Sequence, residues 1–439
     1  MSHIHFQIMT KKITFLCFSF LLTLGLSAQY TDNIRVMTYN LLQYGVTAGP
    51  NCTPSTVTSK NAWLNIILGY YKPDLLSVNE LRWNGNNAYA LNIKTNVLNN
   101  YNAAMNITTA GNSVSSDIGN MLFYNNNKFG YLSHTAITGN VRDIDVYELY
   151  HKTATTAGDT TRLWVISCHL KAGNTSPDAA QRSNMATDIM AWIAAQPNIQ
   201  NYIVMGDLNL YSNSEAAYQT FLDANNPQRF YDPSGITTGW QGSSFKNIHT
   251  QCPSTSSANC FSGGGLDDRF DFILMSDAIK NNTAKISYKA NSYRTFGNDG
   301  VSYNTDLNCA LTTSIPSTVC NALTLNSDHL PVIMELQIAT TVATESAVLQ
   351  GVELNILGNP VSGNDLTIQL VLAENSPETY RLFVIDMMGK EIMADNFSAS
   401  SPNMTQNIPI SALSNGLYHL VLQAENGQIL SRPFVISRR

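Results

Sequence analysis

The sequence predicts a layered α/β domain followed by a small all-β domain, and three observations carry that expectation. From Ile34 to about Leu336, short apolar runs alternate with helical or loop segments. Small and polar residues then fill Thr340 to Val348, and beyond Leu354 only strand-like pieces recur, divided by Gly, Asn, Ser and Pro turns. Finally, several strand candidates of the first domain end in carboxylates, carboxamides or histidines.

The elements follow in order. Lys11 and Lys12 precede the apolar run Ile13 to Leu26 and then Ser27-Ala28-Gln29, the order of a secretory signal peptide with cleavage after Ala28. The run is short for a membrane span. No other segment is long and apolar enough, so an exported protein without an integral membrane segment is expected. Strands are expected at Ile34 to Tyr39, Leu75 to Val78, Met121 to Tyr124, Leu163 to Leu170, Tyr202 to Met205, Phe270 to Met275 and Pro331 to Leu336. Helical spacing marks Asn61 to Tyr71 and Asp178 to Ala195, the second opening on Ser176-Pro177-Asp178. The later strands are expected at Leu366 to Leu372, Tyr380 to Ile385, Lys390 to Ala394, Gly416 to Gln423 and Gln428 to Ile436. The expected divisions are a leader at 1–28, a first domain at 30–339, a linker at 340–350 and a β-sandwich at 351–439.

With 439 residues and 44% hydrophobic composition, the chain has material for one large core and a smaller one. Its net charge of -6 argues against binding nucleic acid through a broad basic surface. An enzyme that turns over needs only a few phosphate contacts near the cut, so a nuclease stays open. Cys17 leaves with the leader, and the other six cysteines form an even set in an oxidising compartment. The close pairs Cys252 with Cys260 and Cys309 with Cys320 suggest local bridges, each contributing roughly 2–3 kcal/mol. Cys168 is expected as a buried thiol on the face of Trp164 and Ile166.

The most informative stretch is Tyr202-Ile203-Val204-Met205-Gly206-Asp207-Leu208-Asn209, a buried-looking strand ending on a carboxylate and a carboxamide two residues apart. Alone, such a turn also serves as an ordinary strand exit. Other strand ends repeat its chemistry. Asn40 closes Arg35 to Tyr39, Glu80 follows Leu75 to Asn79 with Arg82 two residues on, and His169 shares a strand face with Ser167 and Val165. Asp271 lies between aromatics, which is costly without a partner, and Asp328-His329 precede Pro331. Taken jointly, Glu80, Asp328 and the amide oxygen of Asn40 are hard ligands for Mg2+ or Mn2+, with Ca2+ as a structural alternative. Asp271 can orient His329 as a general base toward water. Asp207 and Asn209 can orient that water and bind a phosphoryl oxygen, and His169 can donate to the phosphate or the leaving oxygen.

These segments, in this order, resemble the endonuclease/exonuclease/phosphatase superfamily. The carrying residues are Thr38-Tyr39-Asn40, Pro73-Asp74 to Glu80, Ser167-Cys168-His169-Leu170, Gly206-Asp207-Leu208-Asn209, Arg269-Phe270-Asp271 and Ser327-Asp328-His329-Leu330-Pro331. The resemblance implies a four-layered α/β sandwich of two packed sheets with helices outside. It also implies a metal site at Glu80 helped by Asn40 and Asp328, the pair Asp207 and Asn209 on water and phosphate, His329 with Asp271 as base and support, and His169 as a second histidine. Glu80-Leu81-Arg82 is similar to a deoxyribonuclease Glu-x-Arg whose arginine reaches into DNA, making Arg82 a substrate contact. Asn79 departs from the glutamine many relatives have there, and no acid supporting His169 is evident. Trp240 and Phe245 in one loop keep a membrane-facing sphingomyelinase-like reading open.

The C-terminal part resembles the type A sorting domain of the Bacteroidetes type IX secretion system, on Gly358-Asn359-Pro360-Val361, Val384 to Lys390, Leu413 to Tyr418 and Phe434-Val435-Ile436. That resemblance implies type IX machinery as a partner and a secreted or cell-surface location. The expectation is therefore a monomeric, secreted, divalent-metal-dependent phosphodiesterase, foremost an endonuclease with nucleic acid as substrate. A sphingomyelinase-like or phosphomonoesterase activity is the alternative, and a catalytically silent surface-binding protein is the reading from another class.

Overall fold

The computed structural model describes residues 29–49, 51–83, 85–108, 118–138, 140–152, 161–236, 238–312, 314–341, 349, 351–373, 379–386, 390–398, 401–424 and 429–438. The expected signal peptide, most of the linker and the turn Met387-Met388-Gly389 lie outside the described residues. One compact unit spans Gln29–Thr341, and a second takes in the residues from Val342 onward.

In the first unit the strands are β1 (Gln29–Tyr44), β2 (Leu75–Arg82), β3 (Met105–Ile107), β4 (Ile118–Asn125), β5 (Phe129–Ile137), β6 (Ile144–His151), β7 (Arg162–His169), β8 (Tyr202–Asp207), β9 (Phe230–Tyr231), β10 (Asp271–Ser276), β11 (Ile286–Tyr288), β12 (Arg294–Thr295) and β13 (Val332–Thr341). The helices are α1 (Val57–Tyr71), α2 (Ala88–Asn96), α3 (Ser176–Ala194), α4 (Ala216–Leu222), α5 (Asp277–Asn281) and α6 (Ser317–Asn326). One sheet runs β11-β13-β1-β2-β4-β3 with β12 beside β13, and the other runs β5-β6-β7-β8-β10-β9.

Alternation along the strands sorts their apolar residues into layers. Val36, Leu75 and Leu122 of the first sheet meet Val165, Ile203, Met205 and Ile273 of the second in a shared core. The opposite face of the first sheet, with Met37, Leu76 and Val78, packs against Leu64 and Leu68 of α1 and Leu323 of α6. Ile166, Val204 and Phe272 of the second sheet pack against Met185 and Ile189 of α3. The result is helix, sheet, sheet, helix, the expected four layers. α3 starts on a capping box in which Thr175 and Asp178 bond each other's backbone, with proline in the first turn.

Strands β5 and β6 were not expected. Much of β5 is exposed, and charged residues interrupt β6, so neither reads as an apolar run. The disulfide pattern needs a larger correction. Cys309 bonds Cys320, but Cys260 bonds Cys52, not Cys252. Cys252 is drawn into the interior by its N–H bond to the Gly265 carbonyl and is fully buried against Leu42 and Phe261, leaving it and Cys168 as thiols. Proximity in sequence misleads here because the loops at 51–54 and 258–262 are joined through Cys52 and Cys260.

The second unit has β14 (Val352–Leu357), β15 (Asp365–Leu372), β16 (Thr379–Asp386), β17 (Glu391–Ser398), β18 (Asn403–Pro409), β19 (Gly416–Ala424) and β20 (Ile429–Ile436). They form the sheets β14-β15-β18 and β17-β16-β19-β20. Leu354, Ile368, Val384, Leu420 and Phe434 fill the core of this sandwich. β18 escapes a sequence reading because its side chains are nearly all polar or exposed. No helix among the described residues is long and apolar enough to cross a membrane.

Candidate active site

The site assembles at strand ends. β7 and β8 are parallel and place His169 opposite Asp207, while β8 and β10 are antiparallel and place Asp207 opposite Asp271. Residues paired across neighbouring strands project to the same face. Three separate sequence segments thus form one row on the second sheet.

The first sheet supplies the other half. A register irregularity separates Asn40 from Tyr44 where β1 meets β2, and Leu42, Gln43 and Glu80 all take positive φ. Such a bulge re-aims side chains out of strict alternation. It lets Glu80 accept from the Asn40 side-chain nitrogen at 3.1 Å and from the Gln43 N–H at 3.0 Å. The same Asn40 nitrogen donates to Asp207 at 3.0 Å.

The Asn40 amide oxygen, expected toward a metal, instead accepts from the Leu42 N–H at 2.9 Å. Asn40 therefore joins two carboxylates through its nitrogen. Asp328 also stands apart: Glu80, His169 and Asp207 bring donor atoms within 4.8 Å of one another, and Asp328 is not in that group. Its Oδ2 accepts from the Ser262 N–H at 3.0 Å, while its buried Oδ1 has no hydrogen-bond partner. Two carboxylates, an imidazole and a nearby orphaned carboxylate oxygen form a donor set that fits a hard divalent cation such as Mg2+ or Mn2+.

His329 bonds Asp271 Oδ2 through Nδ1 at 2.7 Å and turns Nε2 toward Asp207, 3.7 Å away. Burial opposes the charge on His329, yet Asp271 and Asp207 raise it well above the ordinary histidine range. Burial pushes Asp207 up to about 7, against the pull of His329. Each group's charge favours the charged form of the other across this buried contact. The side-chain nitrogen of Gln251 lies 2.6 Å from His329 Nε2. His169 behaves oppositely: burial, then the charges of Arg142 and His329, hold it well below its usual range and keep it neutral. Its Nε2 is 3.4 Å from Asp207.

Asn209 takes a left-handed backbone, donates its N–H to Asp207 at 3.0 Å and commits a side-chain hydrogen to the Leu170 carbonyl. Arg82 is held by the Gly45 carbonyl and the Tyr89 hydroxyl, with its guanidinium over the Tyr89 ring. Trp240, the candidate for a membrane-facing tip, is buried against Tyr218 and Phe272, and Phe245 packs on the same core.

Two cations were missed from sequence. Arg142 donates to the Leu170 carbonyl at 3.0 Å and acts electrostatically on Glu80 and Asp207; it precedes β6, a strand that the sequence did not reveal. Lys60, fully buried on α1, donates to the carbonyls of Leu41 and Asn326, one residue after Asn40 and two before Asp328. Burial pushes it down to about 8, against the charges of Asp328 and Glu80. A lysine on a helical face carries no such signal in the sequence.

Comparison with known families agrees with this architecture. Residues 37–291 match the Endonuclease/Exonuclease/phosphatase family, and residues 355–437 match the Secretion system C-terminal sorting domain. The chain belongs to the Endonuclease/Exonuclease/phosphatase family and is a phosphoric ester hydrolase bearing a secretion sorting domain, which marks it for export. Comparison with curated proteins finds no match.

Among solved structures, D. rerio TDP2 with a single-strand DNA product is 14% identical, with 69% of this chain and 98% of that one covered and a TM-score of 0.45. The human Nocturnin catalytic domain with a bound sulfate anion is 16% identical, covering 71% and 98%, with a TM-score of 0.42. An endonuclease/exonuclease/phosphatase from Beutenbergia cavernae is 12% identical, covering 92% and 100%, with a TM-score of 0.41.

Proposed function

We propose that the exported protein is a divalent-metal-dependent phosphodiesterase acting on nucleic acid as an endonuclease. The observation that carries this reading is the row His169, Asp207 and Asp271 facing Glu80 and His329, in which acids and two imidazoles, one of them paired with Asp271, converge on one buried point. Glu80 and Asp207 would hold Mg2+ or Mn2+, with His169 and Asp328 at its margin. The ion supplies positive charge against the phosphoryl oxygens.

The chain's own residues supply the rest. Asp207 orients a water and His329, in its deprotonated form, accepts the proton, while Asp271 keeps His329 in one orientation. His169, neutral at working pH, donates to a phosphoryl or leaving oxygen, and Arg142 adds a fixed charge beside it. Asn209 contributes by fixing the turn that carries Asp207. Nucleic acid is favoured over lipid because Trp240, the candidate for a membrane-facing tip, is spent inside the domain.

The test is a panel of DNA, RNA, sphingomyelin and sugar or inositol phosphates, each with and without chelator. Chelator-sensitive cleavage of DNA or RNA is expected. Cleavage of sphingomyelin with nucleic acid untouched would overturn the substrate, and full activity in chelator would overturn the metal.

A further inference from the structure

The driving force that packs the apolar core between the two sheets is non-directional, whereas hydrogen bonds across it specify orientation. The site does not tolerate sliding of one sheet over the other, because Asn40 and Glu80 come from one sheet while His169, Asp207 and Asp271 come from the other. Something directional must fix how the sheets sit beneath the site.

Directly below it lies a continuous chain of buried side-chain hydrogen bonds that crosses between the sheets. Asn79 of β2 accepts from the Asp207 N–H at 3.0 Å and donates to the Cys168 carbonyl at 3.2 Å. It also donates to Asn120 Oδ1 of β4 at 2.7 Å. Asn120 donates in turn to Asp145 Oδ2 of β6 at 3.0 Å and to the Asp143 carbonyl at 3.1 Å, with the Ser167 carbonyl at 3.4 Å. Asp145 Oδ1 meets His134 Nε2 at 2.7 Å, where the chain reaches a side chain 13% exposed. A second cross-sheet bond, Ser77 Oγ to Ser167 Oγ at 2.6 Å, lies two residues from Asn79 and one from Cys168.

The close fit around this chain points the same way. A Cβ on Gly206 would collide with the Cys168 carbonyl and lie 3.1 Å from Asn79 Oδ1, so the Asp207 strand is pressed onto the amide. Asn79, Asn120 and Asp145 are each almost wholly buried, and burying three such polar groups is costly unless they are bonded as these are.

We propose that Asn79, Asn120 and Asp145 are positioning residues, a polar clamp between the sheets that sets Asp207, His169 and Arg142 against the half of the site carried by the first sheet. Each end of the clamp meets the backbone next to a site residue: the amide of Asp207 itself, the carbonyl before His169, and the carbonyl after Arg142. The clamp touches neither substrate nor cation. It acts on turnover through orientation alone. The inference rests on the phosphodiesterase reading for its activity readout only.

The test compares Asn120→Leu, which removes both ends of the central amide, with Asp145→Asn, which keeps an acceptor for Asn120 and offers an N–H to His134. Readouts in the full-length protein are kcat and KM on bis(p-nitrophenyl) phosphate, Mn2+ affinity by calorimetry, thermal melting, and amide exchange of the peptide spanning β8. Asn120→Leu is expected to lower kcat by ~30-fold or more with KM within about twofold, to weaken Mn2+ binding because Asp207 is no longer held against Glu80, and to speed exchange across β8. Asp145→Asn is expected to stay within roughly threefold of the parent in kcat and to leave β8 protected.

If Asn120→Leu does not fold, Asn120→Ser takes its place, since a hydroxyl cannot span Asn79 and Asp145 together. A folded variant with parental kcat and parental exchange overturns the clamp, as does a loss of kcat with β8 exchange unchanged. A parent protein inert toward every phosphoester overturns the phosphodiesterase reading instead, and the exchange comparison still decides the clamp.

Discussion

Glu80 and Asp207 come from different sheets yet share one donor, the Asn40 side-chain nitrogen, at 3.1 and 3.0 Å. That nitrogen holds two carboxylates close enough to take a cation between them. Removing it leaves like charges facing each other across the site.

Asn40→Ala is therefore expected to weaken divalent affinity and to lower kcat by about 10²–10³, the scale of a lost oriented donor. Calorimetric titration of Mn2+ beside single-turnover kinetics would check both effects. Parental metal affinity in a folded variant would contradict the bridging role.

Chelation is expected to abolish turnover, with Mg2+ or Mn2+ restoring it. Glu80→Ala should not recover at any accessible metal concentration, whereas His329→Ala should bind metal while losing about 10²–10⁴ in kcat. A metal titration of both variants separates the roles, and recovery of Glu80→Ala by excess Mn2+ would count against it as the principal ligand.

The metal-free protein is expected to lose stability as pH rises from about 6.5 to 8. Asp207 is raised to about 7 from a usual 3.8, and His329 is raised well above 6.5. Each thus binds a proton in the folded protein that the unfolded chain has already released: Asp207 loses its contribution between about 4 and 7, and His329 loses its own from about 6.5 upward, which alone carries the slope beyond 7. His169, depressed, acts with the opposite sign but only below 6.5. Melting temperatures of the metal-free protein across this range would check it. A flat profile would contradict the raised values, and Asp207→Asn, which removes a charge that raises His329, should flatten the slope.

Cys52→Ser is expected to destabilise the first domain by about 2–5 kcal/mol, measured by denaturant unfolding. The lost bridge also frees the loop whose Ser262 N–H holds Asp328. Cys252→Ser should leave the bridge intact, and a mass map showing Cys252 bonded to Cys260 would contradict the structure.

Much of this fold was readable because its apolar strands are short, buried and terminated by distinctive residues; Tyr202 to Asp207 is buried along its whole length. What the sequence hid has specific physical causes. The bulge that aims Glu80 breaks alternation through backbone torsions at Leu42, Gln43 and Glu80, residue types that announce nothing of the kind. The orientation of the Asn40 amide follows from the Leu42 N–H, a contact two residues away that no spacing rule anticipates. Arg142 and Lys60 enter the site from elements with weak signatures. The partner of Cys260 lies 208 residues away in sequence and is brought near only by the folding of two loops.

The row of His169, Asp207 and Asp271 ties chemistry to strand pairing. A one-residue slip of β8 against its neighbours would carry Asp207 to the opposite face, while His169 and Asp271 stayed where they are. Such a chain could remain compact and still have no reaction centre. Turnover by this enzyme therefore reports a correctly threaded sheet, and a refolded sample can be graded by its specific activity as directly as by its spectrum.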